Sequence, residues 1–333
     1  MGLIKRKTIL LGTLVLGFFL LPKSESVVLF KSSAMSAEVK TDCNFIPQNK
    51  MRFPVRPSGH ISELTFKQII RSAEAVYDPI FKQSGYGQFK ILPLWNDDTV
   101  NAVAYTCDPA KLPNGVAVNN CNKVLTTSEN YKIKTRVVEM YGGLARHPYM
   151  SAEGFLLVIC HEIGHHLGGV PRYANSLLSS EGQADYFSTS KCARQILSRV
   201  SNNANWVRAA KIPLEVRIAC QNSFPKDINQ AMICMRSSVG GLSLARVLGS
   251  IKSTDWKTIT FANADKKQVQ QTFLSHPEAQ CRLDTYFAGA LCGMSQDSQF
   301  SGTDYRAGAC TPQRFQKTGS RPSCWFKDPL IKI

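Results

Sequence analysis

The chain has 333 residues, and a hydrophobic content of 44% excludes global disorder while allowing one large packed domain or two modest ones. A formal net charge of +16 is unusual, and eleven cysteines are more than a reducing compartment supports as structural disulfides. The basic residues are scattered, with no dense arm and no aromatic-interleaved groove, which argues against specific nucleic-acid binding and leaves a diffuse field suited to anionic partners such as an envelope polymer.

Lys5, Arg6 and Lys7 open the chain, followed by an apolar run from Thr8 to Leu21, then Pro22 and the small residues Ser24 and Ser26 around Glu25. This is the layout of a secretory signal peptide over residues 1–26, since the run is short for a transmembrane helix. Ala34-Met35-Ser36-Ala37 offers a second cleavage site. Removing residues 1–26 takes away a net +3 and leaves about +13, from 16 minus 3. An exported address, periplasmic or secreted, follows, and no membrane span is expected in the mature chain.

Residues 27–60, with prolines at 47, 54 and 57, read as an irregular lead-in. From Leu64, the positions Ile69, Ile70, Ala73, Val76, Tyr77 and Ile80 recur at helical spacing, and Gly85 and Gly87 end that helix. Phe89–Trp95 and Thr99–Tyr105 read as strands around the turn Asn96-Asp97-Asp98, and Tyr131–Tyr141 as another strand, punctuated by Gly142-Gly143. Past Pro148 the pattern turns helical. Ser151 is a good N-cap, Phe155–Leu167 is helical until Gly168-Gly169, and a second helix opens near Ser180 and runs to about Ser198. The segments 205–220, 228–250 and 265–295 read as mostly helical, and 296–333 as a basic tail held by Cys310 and Cys324. The fold class is α+β, a small N-terminal sheet followed by a mainly helical half, with the principal domain at 61–295.

Eleven cysteines allow five disulfides and one thiol. Loop closure suggests Cys107–Cys121, Cys220–Cys234 and Cys310–Cys324, and Cys160, inside an apolar stripe, is the expected thiol. No C-x-x-C pair exists to support a cysteine-rich zinc site.

The chemistry lies in His161-Glu162-Ile163-Gly164-His165. On a helix, H-E-x-x-H projects both imidazoles from one face toward one metal, with the glutamate one step round, beside the water that completes the sphere. The run Phe155-Leu156-Leu157-Val158-Ile159 marks the helix as buried, and two histidines with a glutamate inside it need a partner, for which zinc is the best fit. His166 points elsewhere. The metzincin pattern fails, because its third ligand position is Pro171. Glu181-Gly182-Gln183-Ala184-Asp185 instead places two carboxylates on one helical face: Glu181 can complete the ligand set, and Asp185 can accept the outer N–H of a liganding histidine.

H-E-x-x-H followed by E-x-x-A-D resembles a gluzincin metallopeptidase. Val100-Asn101-Ala102-Val103-Ala104, Gly142-Gly143-Leu144 and Ser275-His276-Pro277 with Arg282-Leu283 resemble elements of the CAAX prenyl protease and HtpX-like peptidase family, over roughly residues 65–290. The link of fifteen residues between His165 and Glu181 is shorter than that family's and is similar to thermolysin-type spacing. The resemblance implies a zincin-like fold with one Zn2+, ligands His161, His165 and Glu181, Glu162 as general base and acid, and Asp185 orienting an imidazole. It also implies that Asn101 lies on an edge strand that pairs with an extended substrate, that His276 lies near the metal, and that Arg282 is structural or pairs a carboxylate. Tyr141, Tyr173 and Tyr186 are candidate oxyanion donors, with no choice among them. The function expected is an exported zinc-dependent endopeptidase acting on polypeptide through a zinc-activated water. The alternatives are a zinc-stabilised envelope chaperone or binding module, and a cell-wall peptide hydrolase using the same site.

Overall fold

Helix α1 (Glu63–Gln83) forms where the apolar spacing demands it. Ser62 Oγ accepts from the Thr65 N–H at its start, and Phe66, Ile70, Ala73, Val76, Tyr77 and Phe81 are buried along one face. The chain leaves the helix at Ser84, and Gly85 follows with φ +73°. The structure is a computed structural model that describes residues 42–55, 61–108, 121, 133–314 and 316–330. The expected signal peptide and both cleavage sites lie outside the described residues.

Four strands form one mixed sheet in the order β1 (Asp42–Asn44), β3 (Ala102–Cys107), β4 (Thr135–Tyr141), β2 (Gln88–Leu94). β2 runs parallel to β4, whereas β3 is antiparallel to both β4 and β1. The strands around Asn96-Asp97-Asp98 therefore do not pair with each other; β4 lies between them, with Glu139 opposite both Leu92 and Val103. Burial explains this. Val137, Val138 and Met140 are inaccessible, and Arg136 and Glu139 are also buried, as only a central strand requires. The guanidinium of Arg146 holds the connection open by donating to the carbonyls of Trp95 (2.7 Å), Asp97 (3.0 Å) and Phe53 (2.8 Å).

β1 falls within the stretch expected to be irregular, and it covers the edge of β3, so β3 is not the edge strand. Gly142-Gly143 opens a one-turn helix, α2 (Gly142–Ala145).

The rest is helical, as expected of this α+β chain. Ser151 caps α3 (Ala152–Leu167) by accepting from the Gly154 N–H, and every residue from Gly154 to His166 is buried. After a short loop, α4 (Glu181–Phe187) passes through a π-helical turn, Ser188–Cys192, into α5 (Ala193–Leu197). The mostly helical segment 205–220 is made of two helices, α6 (Asn203–Ala209) and α7 (Leu214–Ser223). α8 (Ile228–Ile251) is long and apolar enough to cross a membrane by length and composition, but 72% of its apolar window is buried within the protein, where it packs on α3. Of residues 265–295 only α9 (Ala279–Leu291) is helical. The residues before it spend backbone groups elsewhere: Val269 N–H on the Ser323 carbonyl, Phe273 N–H on that of Trp325, and the Leu274 carbonyl on the Glu181 N–H.

Five disulfides mark an oxidising, exported environment. Cys107–Cys121 and Cys220–Cys234 form as expected. Cys310–Cys324 does not: Cys281–Cys324 and Cys292–Cys310 staple the tail to the two ends of α9. Cys160 is not a thiol but is bonded to Cys192, tying α3 to the π-helical turn, and Cys43 is the cysteine outside the five bonds.

The stapled tail seats the Trp325 ring, wholly buried, directly on the backbone of Gly182 in α4. A Cβ at Gly182 would fall inside contact distance of that ring. Gly182→Ala should therefore destabilise the oxidised protein by about 1–3 kcal/mol, the usual cost of overpacking a filled core, read as a lower midpoint in urea unfolding. An unchanged midpoint would show that the tail yields without cost.

Candidate metal centre

α3 sets His161 and His165 one turn apart on its buried face, with their Nε2 atoms 3.0 Å from each other. The outer nitrogens are engaged. His161 Nδ1 lies 2.7 Å from Asp185 Oδ1, and His165 Nδ1 lies 2.8 Å from the Ser179 carbonyl oxygen. Both of those oxygens accept, so each ring donates through Nδ1–H and turns the lone pair of Nε2 inward.

Glu181, the first residue of α4, faces the same point. Its Oε2 is 3.3 Å from His161 Nε2, and its Oε1 is 3.8 Å from His165 Nε2. Ligands about 2.0–2.1 Å from a tetrahedral ion stand roughly 3.3 Å from each other, so the 3.0 and 3.3 Å separations suit a small cation between these groups, with the approach of Oε1 to His165 looser at 3.8 Å. Oε2 is buried without a hydrogen bond, while Oε1 accepts from the Tyr173 hydroxyl at 2.6 Å. Glu162 is also wholly buried, and neither of its carboxylate oxygens has a hydrogen-bond partner.

Electrostatics follow the packing. Burial works against a charged His161, but the Asp185 and Glu181 carboxylates outweigh it and raise its pKa to about 9. Burial would raise Glu181, yet His165, His161 and His276 hold it well below the usual carboxylate range. For Glu162 burial wins: it raises the carboxyl to about 8, and the attraction of His161 offsets only part of it. The pocket thus calls for positive charge at the inward nitrogens, from a proton or a metal ion.

Asp185 organises the outer layer. Besides His161, it accepts Arg282 Nε on Oδ2 and Nη2 on Oδ1, both at 2.7 Å, and the Tyr286 hydroxyl on Oδ1 at 2.6 Å. Burial would raise its pKa, but Arg282 and His161 keep the carboxyl below its ordinary range. Arg282 and Tyr286, four residues apart, reach it from one face of α9.

The remaining expected residues divide clearly. Asn101 immediately precedes β3, and its side chain brackets Ile46, Oδ1 accepting from the N–H and Nδ2 donating to the carbonyl, each at 3.1 Å. His276 Nε2 lies 2.8 Å from the Asn44 carbonyl and 3.4 Å from Glu181 Oε2, so it does stand beside the centre. Of the three tyrosines, Tyr173 alone reaches Glu181; Tyr141 is bonded to Glu139, and Tyr186 donates to the Gly319 carbonyl. His166 turns away and is buried beside Phe81, ring centroids 5.9 Å apart. Cys43 was not expected here. Its Sγ and one ligand atom each of His165 and Glu181 all lie within 4.8 Å of one another. The odd cysteine count announces one thiol, but only the sheet pairing brings Cys43 to this pocket.

No family model, curated protein or solved structure matches this chain.

Removing the guanidinium would leave the Asp185 charge buried without its main counter-ion. With a chelator present, Arg282→Met should cost about 3–5 kcal/mol near neutral pH. A carboxyl with a depressed pKa contributes stability above its unfolded pKa and loses it as the pH falls through the folded one. The difference between wild type and variant should therefore shrink as the pH drops below about 4. Urea unfolding at several pH values checks this, and a difference independent of pH would assign the loss to packing alone.

Proposed function

We propose that this protein is an exported zinc-dependent endopeptidase of gluzincin type with a zincin-like fold, related in its motifs to the CAAX prenyl protease and HtpX-like peptidases. The observation that carries the reading is the convergence of two inward-facing imidazole nitrogens and the Glu181 carboxylate, beside a buried glutamate that has no hydrogen-bond partner. Two imidazoles and one carboxylate at tetrahedral spacing are a zinc donor set with a fourth position left over. Export as a periplasmic or secreted protein accords with the disulfides and with the N-terminal sequence.

When bound, zinc supplies Lewis acidity that polarises a scissile carbonyl and lowers the pKa of a water toward about 7. The residues of the chain do the rest. Glu162 takes the proton of the attacking water and passes it to the leaving amine. Asp185 fixes the His161 ring by holding its Nδ1–H, and the Ser179 carbonyl does the same for His165. Tyr173 orients Glu181 and, of the three candidate tyrosines, is the one beside the ligand set, from which it can donate to a developing oxyanion. His276 brings a ring N–H beside Glu181, where residues 42–46 pass. β3, once its edge is available, pairs with an extended polypeptide substrate through backbone hydrogen bonds.

Glu162→Gln should retain zinc at the wild-type stoichiometry while turnover of an unfolded protein substrate falls by about 10²–10⁴. Cleavage at the wild-type rate would remove Glu162 from the mechanism. Glu181→Ala should weaken zinc affinity by more than the roughly 10- to 100-fold typical of losing an outer hydrogen-bond partner, measured by competition with a chelator. Unchanged affinity would place the third ligand elsewhere.

A further inference from the structure

The groups expected to grip a substrate are engaged with the chain itself. Asn101 brackets Ile46, His276 Nε2 donates to the Asn44 carbonyl at 2.8 Å, and Arg282 Nη1 donates to the Phe45 carbonyl at 3.1 Å. β1 pairs antiparallel with β3, Cys43 opposite Ala104 and Asn44 opposite Val103, and the Phe45 N–H extends the ladder to the Ala102 carbonyl at 2.9 Å. Residues 42–46 thus lie along β3 as an added peptide strand would, held by main-chain bonds and by three side chains that reach its carbonyls.

Residues two apart on an extended strand face the same way. Phe45 meets the His161 ring edge-on, with centroids 5.1 Å apart, so Cys43 faces the same side of the strand. Its thiol is wholly buried, and its Sγ gathers with His165 and Glu181 inside 4.8 Å. Two further observations mark this pocket as built for a ligand: Glu181 Oε2 and both Glu162 oxygens are buried in it without a hydrogen bond.

We propose that Cys43 Sγ is the fourth ligand of the zinc held by His161, His165 and Glu181, so that the chain folds in a latent form with residues 42–46 lying beside the centre as a tethered strand. This inference rests on the reading of the site as a zinc centre. A zinc–sulfur bond is about 2.3 Å, which puts sulfur roughly 3.6 Å from the other ligand atoms. With respect to His165 and Glu181, within 4.8 Å of it, the thiol needs to close by on the order of 1 Å to enter the sphere. Binding is a ligand exchange without redox change: the thiol gives its proton to solvent, the thiolate donates a lone pair to the metal, and a water leaves. The fourth position is then closed, as in a structural site. Withdrawal of residues 42–46 would open that position and the β3 edge together, returning Asn101 and His276 to an incoming peptide.

The test replaces zinc by cobalt(II) in the oxidised full chain. Wild type should bind cobalt and show a thiolate-to-cobalt charge-transfer band; Cys43→Ser should bind the same amount of cobalt without the band and should cleave an unfolded protein at least about tenfold faster, since an open fourth position is what distinguishes a catalytic site. Should the variant fail to fold, zinc-edge X-ray absorption of the wild type decides the matter alone, by one sulfur among nitrogen and oxygen neighbours. Cobalt bound by the wild type without the band, or a zinc shell without sulfur, would overturn the role of Cys43 and leave the His161–His165–Glu181 centre standing. A wild type that binds neither metal would overturn both readings.

Discussion

The buried pairing of Asp185 with Arg282 is the interaction on which the site depends. One carboxylate joins three helices: it lies on α4, takes a bidentate guanidinium and a phenol from α9, and holds a ring of α3 in one orientation. Arg282 then reaches past it to the Phe45 carbonyl, so the same guanidinium anchors the chain segment after β1. Taking two charges out of water is expensive, and the attraction between them repays it only when the remaining hydrogen-bond sites are filled. Here they are filled by four donors, and the fork geometry of arginine accounts for two of them. Lysine would offer a point charge in place of that fork.

Support for Glu181 comes from farther along the chain. The loop between α3 and α4 is held to the helices: Ser179 N–H donates to the His165 carbonyl at 2.8 Å, and the Gln183 amide donates to that of Gly168 at 2.6 Å. Gln183 is itself fixed by Arg321 from the tail, and Trp325 seals Gly182 beneath it. The segment ahead of α9 supplies the carbonyl that accepts the Glu181 N–H, and it places His276 beside Glu181. The C-terminal residues are thus part of the scaffold of the proposed ligand helix, and the two disulfides to α9 keep them there.

What could be read from the sequence was local. The α3 helix announces itself by a serine cap, an apolar run and a glycine stop, and the two histidines share a face because helical periodicity leaves no alternative. The same register makes Glu181 and Asp185 neighbours. Non-local pairing could not be read. β4 takes the centre of the sheet because its residues are apolar or paired on both faces, and the β2–β4 pairing joins segments more than forty residues apart. Cys310 and Cys324 are close in sequence, yet each is drawn to a different end of α9 by the path of the tail. β1, at three residues, has no periodicity to detect, and its place follows only from the partners that hold it.

Charge balance ties the two proposals together. Glu181 and Asp185 bring two negative charges into a region of zero exposure, and Arg282 returns one positive charge. A buried excess of that kind is costly, which is why His161 is driven toward protonation when no metal is present to do the work. A divalent ion reverses the balance and leaves a surplus of one positive charge. One further anion then brings the cluster to neutrality, and two residues can supply it. Ionised Glu162 would do so in an open site ready to take a proton from water, whereas the Cys43 thiolate would do so in a closed one. The pocket can accommodate either anion without an uncompensated charge, but both together would restore the excess. Under the two proposals latency and catalysis would be alternatives set by the same electrostatic constraint, with the strand that carries Cys43 deciding between them.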